Sequence, residues 1–240
     1  MKIFLIFLIL MVLSVFYYFQ PLNYIDDYQV LLTISTFLFS IFTGFFISRQ
    51  GSRYNLIRDN LANFDGNLSG IYRQSMHLDK KIQNKIKKII VNHYNIILHK
   101  KTWHYNFTHK SSTITSIHDV LEKDPASQKL VSLPFLALGQ ILSALKELQQ
   151  IRKRIISLFK EAIPSFQWIL LFFSAIVLFA TLSSIPSANS WYISIVKASF
   201  ASAIIFVFML LYKLYNLEFF DKSVGIDSAK DVLDIIKNKK

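Results

Sequence analysis

Four blocks of apolar residues, each long enough to cross a lipid bilayer, constrain this chain more than any other feature of its sequence. A helix rises about 1.5 Å per residue, so a hydrocarbon core roughly 30 Å thick needs about 20 apolar residues. The windows that meet this requirement are Ile3 to Phe19, Val30 to Ile47, Ile163 to Leu182, and Trp191 to Leu211. The sequence therefore predicts an all-α integral membrane protein with four transmembrane helices.

The basic residues indicate the orientation of these spans. Residues 49–162 hold 19 of the 27 Lys and Arg residues, whereas the connections 20–29 and 183–190 hold none. Because Lys and Arg accumulate on the cytoplasmic side, we expect a multi-pass protein of the cell membrane with both termini in the cytoplasm. A cleaved signal peptide is the alternative for the first span, but no small-x-small cleavage site follows it.

The chain then divides into four segments. Residues 1–48 hold spans one and two, residues 49–162 a basic cytoplasmic region, residues 163–213 spans three and four, and residues 214–240 a cytoplasmic tail. Apolar residues recur at steps of three and four over 52–78, 80–99 and about 127–160, which predicts three amphipathic helices in the cytoplasmic region. The stretch 101–125 has no clear period and is predicted to be a loop.

The formal net charge of +12 is compatible with nucleic acid, an anionic membrane surface or an anionic solute as partner. Its placement beside apolar spans favours the lipid bilayer, and we predict no nucleic-acid partner. For the amphipathic helices themselves, the favoured interpretation is that they pack together, or against neighbouring subunits, as a cytoplasmic layer; the alternative is that residues 80–101 rest on anionic lipid.

No catalytic motif is present, so we predict that the chain is not an enzyme and needs no cofactor. It has no Gly-rich phosphate loop, no His-Glu-x-x-His and no Gly-x-Ser-x-Gly. The chain has no cysteine, which excludes disulfides and thiolate ligands. The six histidines do not pair on one helical turn, so we predict no metal site and expect exposed histidines in loops and helices.

The second span carries small and hydroxylated residues along one side. The residues of this side that we consider candidates for lining a pore are Thr33, Phe37, Ser40, Ile41 and Gly44. Such side chains gain nothing from lipid, so they suit either close helix packing or the wall of an aqueous path. On spacing alone, packing is the favoured interpretation.

The fourth span contains Lys197, about six residues in from Trp191. Its long side chain can snorkel towards the headgroups, which is the plain interpretation. An ionisable residue at that depth is also a candidate positive charge near the outer mouth of a path.

Several short motifs resemble the bestrophins and, more closely, a bacterial bestrophin-like family. Residues 44–55 resemble the end of the second bestrophin span, where Arg49 and Tyr54 form an Arg-x-x-x-x-Tyr pattern after a Phe-rich helix. The further matching motifs are Tyr94 with Trp103, Arg152-Lys153-Arg154, Pro164 to Trp168, and Gly225. The resemblance covers nearly the whole chain.

The resemblance implies a pentameric ion channel whose second spans line a central pore. Apolar side chains one turn apart would form its neck, and the matching positions are Thr33, Phe37 and Ile41. Thr33 departs from the bulky apolar pattern. The acidic run that forms the bestrophin calcium clasp is missing after the fourth span, so we predict no calcium gating. With the resemblance, pore lining becomes the favoured interpretation of the second-span side.

Two functions therefore compete. The first is a homo-oligomeric, pentameric channel for small inorganic ions, with anions slightly favoured by Lys197 and the basic segment. The second is a membrane-anchored binding or scaffold protein whose basic helices engage anionic lipid or a protein partner.

Overall fold

In the computed structural model, residues 2–19, 28–109, 112–123, 133–161, 163–185, 191–218 and 225–237 are described, and α-helix is their only regular element. The helices in these ranges are α1 Lys2–Phe19, α2 Tyr28–Ser75, α3 Lys80–Lys100, α4 Tyr105–Thr108, α5 Thr113–Glu122, α6 Leu133–Lys160, α7 Ser165–Ser184, α8 Trp191–Tyr215 and α9 Gly225–Lys237. The all-α prediction is confirmed for this part of the chain.

The chain forms two compact units. The first, which we call the apolar unit, comprises Met1–Ser52 and Ala162–Asn216. The second, which we call the polar unit, comprises Arg53–Glu161 and Leu217–Lys240. Helix α2 contributes its first part to the apolar unit and its remainder to the polar unit.

Each helical stretch that is suited to a bilayer lies at least partly in the apolar unit. In the described residues, three stretches are long and apolar enough to cross a membrane: Tyr28–Ser75, Leu133–Ser184, which includes α7, and Trp191–Tyr215. The first predicted span is helical as α1, but there the corresponding apolar helix is the shorter Leu10–Phe19. Three membrane-length helices are therefore found, and the fourth span stays a prediction.

Helix packing in the apolar unit buries small and apolar side chains. Helix α8 packs on α1 and on α7. Ala198 and Ala201 of α8 are fully buried with Tyr17 of α1. Small side chains at such a contact let two helices approach closely, which is how helices associate where lipid supplies no hydrophobic driving force.

The polar unit has one large core built from amphipathic helices. Helix α3 buries one face, and the residues of this face are Ile82, Ile86, Ile90, Tyr94 and Ile97. They recur at steps of three and four, which places them in one stripe of a helix with 3.6 residues per turn. The predicted helices 52–78 and 80–99 are confirmed as the end of α2 and as α3.

Helix α6 follows the same rule. Its buried residues are Ala137, Ile141, Leu145, Leu148, Ile151 and Ile155. Pro134 is the second residue of the helix, where the missing N–H has no acceptor inside the helix in any case. The predicted helix of about 127–160 begins later in the structure, at Leu133, and residues 124–132 lie outside the described part.

The prediction of a loop over 101–125 is wrong, and the tail contains a helix that the sequence did not predict. The stretch 101–125 contains α4 and α5, and α5 buries Ile114, Ile117 and Leu121 in the core of the polar unit. The C-terminal tail contains α9, which packs on α3 and buries Val232, Leu233 and Ile236 in the same core. Both helices are short, so their apolar pattern completes only two or three turns.

Candidate functional site

The predicted pore-lining residues lie on a face of α2 that no other described helix covers. Thr33, Phe37, Ser40, Ile41 and Gly44 are all exposed. The residues of α2 that are buried in the same region are Ser35, Phe39, Thr43, Phe46 and Gln50. The candidate residues therefore do not pack against the other described helices, so packing within this part of the chain does not account for the small Thr33, Ser40 and Gly44.

The exposed face of α2 differs in chemistry from that of α7. Helix α7 buries Ser174, Thr181 and Ser184, and its exposed residues between Phe166 and Ala180 are all apolar, including Phe172, Phe173 and Ile176. Such a distribution is suited to lipid. Helix α8 is intermediate, since it exposes Ser199 but buries Ser194 and Ser202.

On α2, by contrast, hydroxyl groups and a glycine are interspersed with the exposed Phe37 and Ile41. The Thr33 hydroxyl donates to the Gln29 carbonyl oxygen of its own helix, with Oγ1 and O 2.8 Å apart. This bond satisfies the hydroxyl hydrogen and leaves its lone pairs available on the exposed surface. The face can therefore bind water or a hydrated ion as well as contact a neighbouring subunit.

Lys197 lies inside the apolar unit and only 3% of it is exposed. Its Nζ donates a hydrogen bond to the carbonyl oxygen of Ile185, which follows the end of α7. The same Nζ lies 5.8 Å from the centroid of the Tyr17 ring, a cation–π arrangement. The ammonium group therefore links α8 to α1 and to the end of α7.

The family-motif residues occupy the turns of α2 around the division between the units. Arg49 and Tyr54 are both half-buried, and Tyr54 packs against the core of the polar unit. The more telling residue is Arg53, which is 5% exposed. Its Nε donates to the Leu158 carbonyl oxygen at 2.7 Å and its Nη2 to the Phe159 carbonyl oxygen at 2.9 Å.

These two acceptors belong to the last turn of α6, whose carbonyl groups have no partner inside the helix. A guanidinium group satisfies them and also complements the negative end of the helix dipole. Arg53 therefore fixes the C-terminal end of α6 to α2. Sequence reasoning named Arg49 and Tyr54 but not Arg53.

A buried carboxyl group is a second feature that the sequence did not reveal. The Tyr94 hydroxyl donates to Oδ1 of Asp65 at 2.7 Å, and the Ser228 hydroxyl donates to Oδ2. Asp65 is 6% exposed, and burial raises its pKa from 3.8 to about 6, although both hydrogen bonds act in the opposite direction. These bonds join α2, α3 and α9 within the polar unit.

His93 contradicts the expectation that the histidines are exposed, because only 2% of it is accessible. Its Nδ1 lies 2.9 Å from the Thr113 hydroxyl and 3.2 Å from the Asn106 amide nitrogen. Burial lowers the pKa of His93 from 6.5 to about 4, so the ring is neutral at pH 7.

Among the described residues, one group could bring several metal-ligating atoms together. His118, Asp119 and Glu122 place one ligand atom each within 4.8 Å of one another at the end of α5. His118 and Glu122 already form an ion pair of 3.7 Å when the ring is protonated, and both side chains are more than half exposed. An exposed pair of this kind on successive turns is typical of a solvated helix surface.

The polar unit also has an open basic groove along α3. Its lining residues are Asn84, Lys87, Lys88, Val91, Asn92, Asn95 and Lys237. Its volume is about 560 Å³, and the lining contains no carboxylate. The groove has the chemistry of a surface that attracts anions.

Together, the membrane-length helices and the helical polar unit define a membrane protein of the all-α class. A family model described as a Bestrophin-like domain matches residues 5–218, and the chain belongs to this family. No curated protein and no solved structure matches the chain significantly.

Proposed function

We propose that the protein is a homo-oligomeric, pentameric channel of the cell membrane that passes small ions, with α2 of each subunit lining the pore. Four transmembrane helices place both termini and the polar unit in the cytoplasm. The observation that carries the proposal is the exposed face of α2, where Thr33, Ser40 and Gly44 alternate with Phe37 and Ile41.

In a symmetric ring of subunits, this face of α2 would meet the same face of α2 in the other subunits. Around a closed rotation axis, the same helix face from every subunit is brought to the centre. Hydroxyl groups there can replace part of the hydration of an ion, and rings of Phe37 and Ile41 would form an apolar constriction. Membership of the family supports this arrangement, because bestrophins are ion channels with pore-lining second spans.

Anions are the favoured ions because exposed lysines of the polar unit raise the local concentration of negative charge carriers. Lys197 adds a positive charge towards the predicted outer end of α8. Because its own chain buries it, we expect Lys197 to act through its electric field rather than through contact with the permeating ion.

The direct test is conductance of the purified protein in planar bilayers. Phe37 is 64% exposed in the chain, and Phe166 of α7, which is 65% exposed, offers a matched control. We expect wild-type currents, a several-fold change in single-channel conductance for Phe37→Ala, and no change for Phe166→Ala. Silent bilayers containing folded oligomer, or equal effects of both variants, would refute pore lining by α2.

The mass of the detergent-solubilised complex is an independent test. Five copies of the 27.9 kDa chain around an axis make a central pore geometrically available. A monomer would leave the candidate residues facing lipid, and the channel proposal would fail.

The alternative is a membrane-anchored binding or scaffold protein, and the basic groove of α3 is the observation that favours it. This function predicts no conductance and salt-sensitive binding to anionic vesicles. It further predicts that binding is lost in Lys87→Gln and Lys88→Gln, whereas Ser40→Leu on α2 has no effect. The channel proposal predicts the opposite: the protein conducts, and Ser40→Leu changes its function.

A further inference from the structure

The polar unit contains a cavity that is separate from the candidate pore and from the basic groove. Its volume is about 190 Å³, far above the roughly 10–15 Å³ that a single water needs. The residues that line it are Phe64, His93, Asn106, Thr113, Ile114, Thr115, Gln149, Arg152 and Lys153. They come from α2, α3, α4, α5 and α6, and none of them carries a carboxylate.

The tautomer of His93 follows from its neighbours. The Asn106 amide nitrogen donates to the His93 carbonyl oxygen at 3.1 Å and lies 3.2 Å from Nδ1. An amide nitrogen can only donate, so the Asn106 contact favours Nδ1 as the acceptor and places the proton of the neutral ring on Nε2; the Thr113 hydroxyl, 2.9 Å from Nδ1, is compatible with either tautomer. The reverse orientation of the amide would set two carbonyl oxygens against each other.

The Nε2–H group of His93 is consequently a buried donor, and it has no hydrogen-bond partner among the residues that the structure describes. A second cavity residue repeats this feature: within the described ranges, the buried Nε of Arg152 also has no acceptor. The Arg152 guanidinium is held from its other side, where Nη2 donates to the His109 carbonyl oxygen at 3.4 Å. A buried donor without an acceptor is destabilising, so two such donors at one cavity indicate a missing acceptor.

The cavity is also at the positive end of a helix. Thr113, Ile114 and Thr115 form the first turn of α5, a helix of ten residues, and the preceding Ser112 makes no side-chain cap. The N–H groups of a first turn have no acceptor inside their helix, and the helix dipole there favours negative charge. Together with Arg152 and Lys153, this turn makes the cavity electropositive.

We infer that the cavity is a binding site for a small oxyanion of the phosphate or sulfate type, which accepts hydrogen bonds from His93 Nε2 and Arg152 Nε. The guanidinium and the Lys153 ammonium neutralise the anion, and the first turn of α5 solvates it. Because the ring of His93 is neutral, it contributes a hydrogen bond and no charge. The site lies within the polar unit and does not depend on whether α2 lines a pore.

The test is titration of the full-length, detergent-solubilised protein with inorganic phosphate. Calorimetry measures the binding, and the thermal unfolding midpoint measures the stabilisation. Arg154 offers a matched control for Arg152, because it lies on the same helix, is exposed and does not line the cavity. We expect saturable binding by the wild type, at least tenfold weaker binding by Arg152→Gln, and a change of less than twofold in Arg154→Gln.

A second variant removes only the other donor. In His93→Asn, the amide oxygen can replace Nδ1 as the acceptor near Thr113 and Asn106, while the Nε2–H donor is lost. We expect this variant to unfold near the wild-type temperature without phosphate and to gain no stability when phosphate is added.

Nanodiscs with and without phosphatidylglycerol distinguish the two possible origins of the bound oxyanion, a free anion in solution and a lipid headgroup. Stabilisation that depends on Arg152 supports the site, and the arm in which it occurs identifies a free anion or a lipid headgroup. Absence of saturable binding of phosphate, sulfate and phosphatidylglycerol would overturn the proposal, as would equal losses in Arg152→Gln and Arg154→Gln.

Discussion

The Tyr94 hydroxyl donates a hydrogen bond of 2.7 Å to Asp65, a buried carboxyl group whose other oxygen accepts from Ser228. Burial raises the pKa of Asp65 from 3.8 to about 6, so the folded protein holds this proton more tightly than the unfolded chain does. The stabilising contribution is therefore present at low pH and is lost as pH rises from about 4 to about 6. The full change is about 3 kcal/mol, at 1.36 kcal/mol per pKa unit.

Asp65→Asn should abolish this dependence. Its amide oxygen can accept from Tyr94 and its amide nitrogen can donate to Ser228, so the network survives without a buried charge. We expect the variant to exceed the wild type in unfolding free energy by about 1–3 kcal/mol at pH 7.5, with the difference vanishing near pH 4. Unfolding can be followed by the fluorescence of Trp103, which is 1% exposed in the same core.

The comparison must be a difference between variants, because His93 titrates in the opposite sense. Its pKa is lowered to about 4, so its contribution is present above pH 6.5 and is lost as pH falls towards 4. Asp59→Asn is the matched control, since Asp59 lies on the same helix with a side chain 64% exposed. A less stable Asp65→Asn at pH 7.5 would contradict the assignment.

Arg53 is predicted to be a main determinant of the stability of the polar unit. Arg53→Ala removes two charge-assisted hydrogen bonds and leaves the last carbonyl groups of α6 without these donors, which should cost about 2–4 kcal/mol. Arg53→Lys should recover only part of this loss, because an ammonium group lacks the planar fork that reaches both oxygens.

The control for Arg53 is Arg58, five residues further along α2. Its side chain is 54% exposed and forms only a 3.8 Å ion pair with Asp59. Pairs of this kind contribute about 0–1 kcal/mol, so Arg58→Ala should leave the unfolding midpoint nearly unchanged. Equal losses in the two alanine variants would show that Arg53 is not a specific cap.

The local sequence predicted the parts of the fold that have a helical period. The stripes of α3 and α6 were evident because their buried residues are regularly spaced within single helices. Helices α5 and α9 were missed because each is short and lies in a polar stretch, where two or three apolar turns are a weak signal. Their positions depend on the core that they complete.

The candidate sites illustrate the same limit. The exposed face of α2 follows from spacing along one helix, so its members could be listed in advance. Asp65 and Ser228 are 163 residues apart, and His93 and Thr113 belong to different helices. No local sequence pattern predicts such pairs, because tertiary packing alone brings them together.

The exposure of the α2 face leads to a prediction about solvent accessibility. The chain has no cysteine, so single cysteines can be introduced into an unmodified background. In bilayer-reconstituted protein, we expect a charged, water-soluble thiol reagent to modify Ser40→Cys and to reduce the current, because an aqueous pore keeps this thiol hydrated and ionisable.

Ala180→Cys on α7 is the control, because Ala180 is also exposed in the chain but lies on an apolar helix face suited to lipid. A thiol in hydrocarbon is neutral and inaccessible to the reagent, so we expect no modification. Labelling at Ala180 but not at Ser40 would place the aqueous surface on the wrong helix for the proposed pore.

The orientation in the membrane can be tested in the same background. Lys85 lies exposed on α3 in the basic segment, and Tyr192 lies 76% exposed at the start of α8. Because Lys and Arg accumulate inside, a membrane-impermeant reagent added to intact cells should label Tyr192→Cys and leave Lys85→Cys unlabelled. Permeabilisation of the cells should increase the labelling of Lys85→Cys at least tenfold. Labelling of Lys85→Cys in intact cells would show the opposite topology. The basic residues that we expect to concentrate anions at the cytoplasmic entrance would then face the exterior.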